Sequence, residues 1–196
     1  MNETTRTNLK AYDPGNAVLK KSIIIRGLWY YINILFFRSY LIPASHFKKI
    51  LLCSFGSKVG RGVVIKPGVN IKYPWLLTIG DYVWIGEGVW IDNLTDVVIG
   101  DNVCISQGAM LLTGNHNYKK STFDLIMGRI TIQDGVWIGS KSIVCPDVTC
   151  KTHSVLTAGS VAVSDLDEYC IYQGNPAANI RQRKMNNESI NNNGKL

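Results

Sequence analysis

The hydrophobic residues of this chain recur with a period of six. In the first stretch, Val59, Ile65 and Ile71 hold the first position of successive hexads, and Val63 and Val69 hold the fifth position. A period of six fits neither the 3.6-residue repeat of a helix nor the alternation of a long strand, so it predicts a repeat architecture. The pattern continues, after two slips of two residues and one longer break, through Ile79, Ile85 and Ile91, then Ile99, Ile105 and Leu111, then Ile126, Ile132, Ile138, Val144, Cys150 and Leu156.

Hexads of this kind predict a solenoid of short parallel strands joined by tight turns. Three hexads make one triangular coil of about eighteen residues, in which the first and fifth positions point inward. Gly or a small polar residue after the first position suits a sharp corner. One hexad buries nothing alone, so stacked coils must supply the core. The predicted fold class is an all-β solenoid with a helical segment before it and a short tail after it.

Changes in composition divide the chain into four regions. Residues 1–16 are predicted to be flexible, 17–55 to be helical, 56–177 to form the solenoid, and 178–196 to be a basic and then disordered tail. Within the second region, Ile23–Phe37 is predicted as a helix, and Pro43 separates it from a second helix over Ser45–Leu52.

Two interpretations of the region 17–55 stay open and are compatible. The helices can cap the first coil and shield its edge. They can also lie on a membrane surface, with Trp29, Tyr30, Tyr31 and the flanking Lys and Arg residues as anchors. The apolar stretch is too short and too interrupted for a membrane span, which needs about twenty residues.

Bulk composition narrows the classes of function. The 196 residues are 46% apolar, which suits one domain with an appendage, and the net charge is +7. No nucleic-acid-binding motif accompanies this charge, so a polyanionic small molecule is a sufficient explanation. The five cysteines form no CxxC motif and predict neither a disulfide framework nor a zinc site. Without a signal peptide the expected location is the cytoplasm, with association at the inner face of the membrane left open.

Long motifs add a specific resemblance. The stretches "FGSKVGRGVVIKPGVNIKYPWLLTIGDYVWIGEGVWIDNL", "IGDNVCISQGAMLLTGNHNY" and "YQGNPAANI" resemble the hexapeptide-repeat acyltransferases. Among these they closely resemble acetyltransferases of colanic-acid and related exopolysaccharide clusters. The resemblance implies a left-handed parallel β-helix, a homotrimer, and acetyl-CoA as co-substrate without a metal.

The strongest catalytic candidate is His116. The hexad rhythm breaks after Leu111 and resumes at Ile126, so a loop of about Asn117–Leu125 must leave the prism beside this histidine. An imidazole can remove the proton from a hydroxyl and return it to a departing thiolate. The resemblance places the family's catalytic histidine within "TGNHNY". His46 and His153 lack such a loop, and no closely spaced pair of histidines suggests a zinc site.

The sequence patterns that indicate residues in contact with the sugar acceptor are weaker than the pattern around His116. Asp92 and Asn93 fall at a corner of an earlier coil, where stacking can bring them near His116 as substrate contacts, although turn chemistry alone also explains them. Asn115 is a further substrate candidate, and Glu87 and Gln107 are rivals.

The resemblance also implies a wall that binds coenzyme A in the last coils. Carried over by position, this wall comprises Trp137, Gly139, Ser140, Ala158 and Gly159. Two departures stand out: Val163 occupies a small polar position, and Ala178 occupies a basic one. Arg181 is therefore expected to contact the nucleotide phosphates, with Arg183 and Lys184 as alternatives.

The sequence as a whole predicts an acetyl-CoA-dependent O-acetyltransferase that acts on a sugar of an exopolysaccharide or of its lipid- or nucleotide-linked precursor. Two alternatives stay open. One is acetylation of an amino sugar, because His116 serves an amine as well as a hydroxyl. The other is a non-catalytic β-helix scaffold, because a fold alone does not decide function.

Overall fold

The structure is a computed structural model that describes residues 6–12, 14 and 21–186. Its centre is a parallel β-solenoid of about six turns, which confirms the predicted fold class. Each turn contributes one short strand to each of three faces, and neighbouring coils pair in register, as in Val64 with Trp84 and Ile65 with Ile85.

The three faces are here named A, B and C in the order in which the chain visits them. Face A contains β1 (Lys58–Val59), β4 (Leu77–Ile79), β7 (Val97–Ile99), β12 (Ile130–Ile132) and β15 (Thr149–Cys150). Face B contains β2 (Val64–Ile65), β5 (Trp84–Ile85), β8 (Cys104–Ile105), β13 (Trp137–Ile138), β16 (Val155–Leu156), β18 (Cys170–Gly174) and β19 (Ala177–Gln182). Face C contains β3 (Asn70–Ile71), β6 (Trp90–Asp92), β9 (Met110–Leu112), β14 (Ile143–Val144) and β17 (Val161–Ala162).

The hexad positions fill the prism as predicted. The inward residues Ile65, Ile85, Ile105 and Ile138 are 0% exposed and stack along face B. Glycines at the corner between faces A and B leave room for the next coil. A Cβ on Gly80 would lie 2.2 Å from Asp101 Oδ1, so glycine is required for the Asp101 carboxylate to accept from the Asp81 N–H at 2.7 Å.

One residue of the predicted register is wrong. Ile126 does not begin the last run of hexads, because it lies in β11 (Leu125–Met127), which pairs antiparallel with β10 (Gly114–His116). Its side chain is 47% exposed, and the buried register resumes at Ile130. The excursion from the prism is thus a hairpin over residues 114–127, wider than the predicted loop.

Two helices cover the open end of the first coil. The helix α1 (Ile23–Ile32) continues as a π-helical segment (Asn33–Arg38), and α2 (Ser45–Ser54) follows. The capping arrangement is therefore present. The Trp29 indole donates to Ile71 O at 2.8 Å, and the buried Lys48 ammonium donates to Lys66 O at 3.0 Å. These bonds satisfy carbonyl groups at the edge of the solenoid, where no preceding coil exists to donate to them.

The ends of the chain depart from the predicted boundaries. The strand β19 extends to Gln182, beyond the boundary predicted at residue 177, because the chain reverses at Asn175–Pro176 and pairs antiparallel with β18. Near the N-terminus, Leu9–Ala11 forms a 3-10 turn and Asn8 N–H donates to Ser121 O at 2.7 Å. The predicted disorder beyond residue 186 lies outside the described residues. Within the described ranges no helix is long and apolar enough to cross a bilayer.

Candidate active site

All three irregular insertions occur at the same corner, where face C passes into face A. The first is a 3-10 turn (Pro74–Leu76) after β3, the second is the Asn93–Thr95 link after β6, and the third is the β10–β11 hairpin after β9. Because β3, β6 and β9 pair in register, the insertions of three successive coils lie side by side. They build a cleft on the outside of an otherwise regular prism.

This cleft, here called the corner cleft, has a volume of about 350 Å³. It lies between the hairpin and the two preceding coils, and the N-terminal segment closes one side of it. Tyr12 lies with its ring centroid 5.8 Å from that of His116. The lining residues are Tyr12, Pro14, Lys72, Tyr73, Asp92, Leu94, Gly114, His116 and Leu125.

His116 is held by the main chain of its own hairpin. Its Nδ1 lies 3.0 Å from Phe123 O, and its ring stacks on the Phe123 ring at 4.4 Å with an interplanar angle of 9°. A carbonyl oxygen can only accept a hydrogen bond, so Nδ1 must carry the proton in the neutral ring. Nε2 then keeps a free lone pair, which is the state that a general base requires.

The conformation of Phe123 places its carbonyl there. Its φ of 54° is in the left-handed region, which is costly for a bulky residue and commonly found at functional sites. The loop around it is cross-linked, because Asn117 N–H donates to Asp124 O at 2.8 Å and Lys120 Nζ lies 2.9 Å from Asp124 Oδ2. Hydrogen bonds from Thr122 and then Lys120 lower the pKa of the Asp124 carboxyl.

Of the two corner residues predicted beside His116, Asp92 lies in the corner cleft. Its carboxylate pairs with Lys72, with Nζ 2.8 Å from Oδ1. Asn93 points into the prism instead and is 0% exposed. Its side chain accepts from Tyr73 N–H at 3.0 Å and donates to Tyr73 O at 2.6 Å. Asn93 thus holds the insertion of the preceding coil, and the structure does not bring it to the cleft.

Asn115 lies on the other side of the hairpin from His116, because successive residues of a strand alternate. Its Oδ1 accepts from the His116 N–H at 2.8 Å. The side chain borders a cavity of about 380 Å³ on the C-terminal side, together with Cys145, Pro146 and Val163. The hairpin therefore separates a cavity toward the early coils from one toward the late coils.

The predicted donor residues lie at a different corner, between faces B and C. Gly139 and Ser140 belong to one coil, and Ala158 and Gly159 to the next. A Cβ on Gly139 would lie 2.5 Å from Ala158 N, so glycine allows these two coils to approach. Trp137 is 48% exposed, and its indole N–H donates to Ser106 Oγ at 2.9 Å. Arg181 is exposed on β19.

Within one chain, these donor residues are separated from His116 by the width of face C. The chain crosses that width from Ser140 to Cys145 and includes β14 on the way, which corresponds to about 17 Å at 3.3 Å per residue. The rival residues Glu87 and Gln107 also lie at the corner between faces B and C and are exposed. His46 is exposed on α2, and His153 stacks on Tyr169 at 4.9 Å. Among the described residues no group of three or more potential ligands could hold a metal ion.

Three parts of the site were not predicted from the sequence. Lys72 and Tyr73 line the cleft because β3 pairs in register with β6. The hexad spacing could have revealed that they lie above Asp92. Tyr12 comes from a region predicted to be flexible. The carbonyl of Phe123 is a backbone group, so no residue type marks it.

Comparisons with known proteins agree with this geometry. No protein-family model matches the chain. A relative from Escherichia coli K12, named as a colanic acid biosynthesis acetyltransferase, WcaF, is 34% identical over 174 residues, which cover 89% of this chain and 92% of the relative. The chain belongs to the hexapeptide-repeat acetyltransferases. It is therefore an acyltransferase, and the predicted left-handed parallel β-helix is confirmed as its fold.

Two further members of this group are informative. The galactoside O-acetyltransferase of Escherichia coli K12 is 30% identical over 138 residues, which cover 69% of this chain and 68% of that protein. A crystal structure of a hexapeptide-repeat acetyltransferase from Vibrio cholerae, complexed with acetyl coenzyme A, superposes with a TM-score of 0.75. It is 24% identical and covers 88% of this chain and 93% of its own. At that identity the superposition shows the shared fold.

Proposed function

We propose that this acetyltransferase moves an acetyl group from acetyl-CoA to a hydroxyl of a sugar that belongs to an exopolysaccharide or to its lipid- or nucleotide-linked precursor. The observation that carries the proposal is the bond between His116 Nδ1 and Phe123 O at 3.0 Å, which reserves Nε2 for the acceptor. The names of the colanic acid relative and of the galactoside O-acetyltransferase support a sugar hydroxyl as acceptor.

The chemistry follows from one base and two bound substrates. His116 Nε2 takes the proton from the sugar hydroxyl as its oxygen attacks the thioester carbonyl. The tetrahedral intermediate then collapses, the C–S bond breaks, and the imidazolium returns the proton to the departing thiolate of coenzyme A. The products are an O-acetyl ester and the free thiol, with no covalent enzyme intermediate.

The developing oxyanion needs a hydrogen-bond donor. We assign it to a backbone N–H at the Ser140 corner. In the described part of the chain, neither the Ser140 N–H nor the Ala158 N–H donates to another backbone group, so both remain available as donors. Trp137, Gly139, Gly159 and Arg181 complete the surface proposed for acetyl-CoA.

The separation of donor and acceptor residues favours a homotrimer. His116 and the Ser140 corner lie on opposite edges of face C, and one thioester must reach both. A cyclic arrangement brings the hairpin corner of one subunit against the donor corner of its neighbour and forms three equivalent sites. Partly exposed apolar side chains of face C supply surface for such a contact, among them Met110, Leu112 and Ile143.

The N-terminal helices also offer a surface for a membrane. Ile24 is 78% exposed, Leu28 is 54% exposed and Leu41 is 90% exposed, and Lys21 and Arg38 flank them. Apolar side chains beside cations bind anionic lipid surfaces. We expect the protein to float with phosphatidylglycerol vesicles and Ile24→Glu to lose this binding; equal flotation of both proteins contradicts the contact.

The acceptor chemistry can be tested through the product. The protein is incubated with radiolabelled acetyl-CoA and a panel of free, nucleotide-linked and prenyl-linked sugars, and each labelled product is treated with mild alkali. An O-acetyl ester releases acetate under these conditions, whereas an N-acetyl amide does not. Labelled product that survives alkali indicates the amino-sugar alternative. Absence of both transfer and acetyl-CoA binding indicates the scaffold.

A further inference from the structure

A second cavity adjoins the corner cleft on the side of the N-terminal helices. Its volume is about 320 Å³, and it shares Lys72, Tyr73 and Asp92 with the cleft. The rest of its wall comes from α1, the π-helical segment and the first two coils. One ligand can therefore occupy both spaces, with one end at His116 and the other against α1.

The charge of this second cavity is strongly positive. Arg26, Arg38 and Lys72 line it, and the one carboxylate in its wall, Asp92, is already paired with Lys72 at 2.8 Å. Neither arginine forms an ion pair with any residue that the structure describes. The site thus presents to a ligand two guanidinium groups that no described carboxylate neutralises.

Arg26 gives a second, independent indication. Its Nε is shielded from solvent and has no hydrogen-bond partner among the described residues. Donors in this position are normally satisfied, because an unpaired one costs about 1–3 kcal/mol in proteins generally. The planar fork of an arginine matches the paired oxygens of a phosphate, which is the ligand favoured by a cavity that two arginines line.

The same wall also suits a sugar. Tyr30, which is 57% exposed, and Trp90, which is 38% exposed, present aromatic surface at the cavity. An aromatic ring packs against the apolar surface of a ligand and leaves the polar groups of that ligand free to form hydrogen bonds elsewhere. The cavity has a charged end and an aromatic wall, and it opens toward a base. These features fit a ligand in which a sugar ring is joined to phosphate.

We propose that this second cavity binds the diphosphate of a diphosphate-linked sugar and thereby presents a hydroxyl of that sugar to His116. The proposal rests on the proposed acetyl transfer and narrows its acceptor to the activated, carrier-linked sugar, since the interior sugars of a finished neutral polymer carry no phosphate. The transfer forms a C–O bond and breaks a C–S bond, while the phosphate bonds stay intact. The acetylated product therefore suits a subsequent sugar-transferring enzyme that displaces the diphosphate.

The first test measures binding without catalysis. Inorganic pyrophosphate is titrated calorimetrically into the wild type, Arg38→Gln, Arg26→Gln and the control Arg129→Gln, whose exposed arginine borders a different cavity. Loss of a charge-assisted hydrogen bond predicts a dissociation constant about tenfold higher or more for each cavity variant, with the control within about twofold of the wild type. Arg38 is exposed, so its replacement keeps the test valid if Arg26→Gln fails to fold.

Three results would overturn the assignment. The first is no pyrophosphate binding by the wild type, and the second is binding by both cavity variants that is as tight as that of the wild type. The third is loss of binding when the protein is saturated with coenzyme A, since this places the anion in the donor site. Pyrophosphate binding does not depend on acetyl transfer. If it requires both arginines but no sugar is acetylated, the proposed function fails while the anion site stands.

The second test identifies the source of the diphosphate. One hexose is supplied free, linked to uridine diphosphate and linked to farnesyl diphosphate, and the release of free thiol from acetyl-CoA is followed. We expect kcat/KM to be at least tenfold higher for one diphosphate-linked form than for the free sugar, and Arg38→Gln to remove that preference through KM. Equal use of the free sugar overturns the proposal. The preferred linked form shows whether the carrier is a nucleotide or a lipid.

Discussion

At the scale of single residues, His116 depends on a backbone carbonyl for its tautomer. Many catalytic histidines use a carboxylate in that position, but here the Phe123 carbonyl accepts from Nδ1 and the Phe123 ring lies parallel to the imidazole. A carbonyl orients the ring without adding a negative charge beside it. This arrangement requires Phe123, a bulky residue, to adopt an unfavourable positive φ.

This arrangement predicts the effect of Phe123→Gly. Glycine accepts the left-handed conformation and keeps the carbonyl, but it removes the ring that stacks on His116. We expect kcat to fall roughly tenfold, as the loss of an aromatic contact and of its positioning implies, while KM for acetyl-CoA stays unchanged.

The matched control is Tyr118→Gly, which removes an exposed aromatic ring from the same loop. Steady-state kinetics of the three proteins make the comparison. An unchanged kcat in Phe123→Gly, or an equal loss in Tyr118→Gly, would contradict the role of the stacked ring.

The sequence identified His116 because a histidine beside a break in the hexads is conspicuous. The expected register of stacked coils also predicted that Asp92 lies near His116. The sequence could not separate Asp92 from Asn93, since both residue types suit a corner and only the side-chain direction decides which one faces the cleft. It could not reveal the Phe123 carbonyl, because every residue carries one.

At the scale of elements, the cap formed by α1 and α2 replaces a missing coil. In interior coils, carbonyl groups accept hydrogen bonds from the neighbouring coil. At the edge of the solenoid the same groups have no neighbouring coil. Lys48 lies in α2, is 0% exposed and donates to the carbonyls of Ile65 and Lys66. Burial lowers the pKa of the Lys48 amine.

Lys48→Met tests this cap. Methionine fills a similar volume but removes both Lys48 hydrogen bonds. Lys66 O then loses its side-chain donor, and Ile65 O keeps only the Ser45 hydroxyl at 3.3 Å. We therefore expect the free energy of unfolding to fall by about 2 kcal/mol. Thermal melts followed by circular dichroism measure the loss, with Lys58→Met, an exposed lysine of the first coil, as the control. Equal melting temperatures for the wild type and Lys48→Met would exclude a capping role.

The lowered pKa adds a dependence on pH with a definite sign. Between the folded pKa and the ordinary value of 10.5, the unfolded chain binds more protons at Lys48 than the folded chain does. The stability of the wild type relative to Lys48→Met must therefore rise with pH across that window. A difference that falls with pH would show that Lys48 is stabilised in its charged form.

The periodic pattern predicted nearly every buried strand residue, because one inward direction recurs at fixed positions. The pattern failed at Ile126. This residue precedes Ile132 by six positions only by coincidence, because it lies in the hairpin. Antiparallel pairing between β10 and β11 removes that segment from the prism. Periodicity along a chain cannot show that a segment has left the repeat when an aliphatic residue falls in phase.

At the scale of the whole molecule, the two half-sites proposed for acceptor and donor lie on opposite edges of face C in one chain. The hairpin corner carries His116, and the donor corner carries Ser140 and Ala158. The sequence predicted both corners, but the distance between them follows only from the coil geometry. This distance is the physical reason for the proposed assembly of three subunits.

Mixed assemblies test whether neighbours complete each other's sites. His116→Ala removes the base, and Ala158→Trp fills the donor corner, so each variant alone should be inactive. In a trimer co-expressed from equal amounts of both, about a quarter of the interfaces combine an intact hairpin with an intact donor corner. We expect about a quarter of the wild-type activity in the mixture.

The control for this experiment is the same two variants purified separately and combined without subunit exchange. No recovery of activity in the co-expressed trimers would show that each chain builds its own complete site. A monomer by light scattering would exclude the assembly directly.

The most direct test of the central claim is the acceptor-dependent release of thiol from acetyl-CoA by wild type, His116→Ala and His46→Ala. His46 is an exposed histidine of α2, away from the corner cleft, so its replacement should leave kcat unchanged. Loss of a general base predicts that His116→Ala falls by roughly 100-fold to 10,000-fold in kcat, while it still binds acetyl-CoA. Acceptor-dependent thiol release by His116→Ala at the wild-type rate would contradict the mechanism.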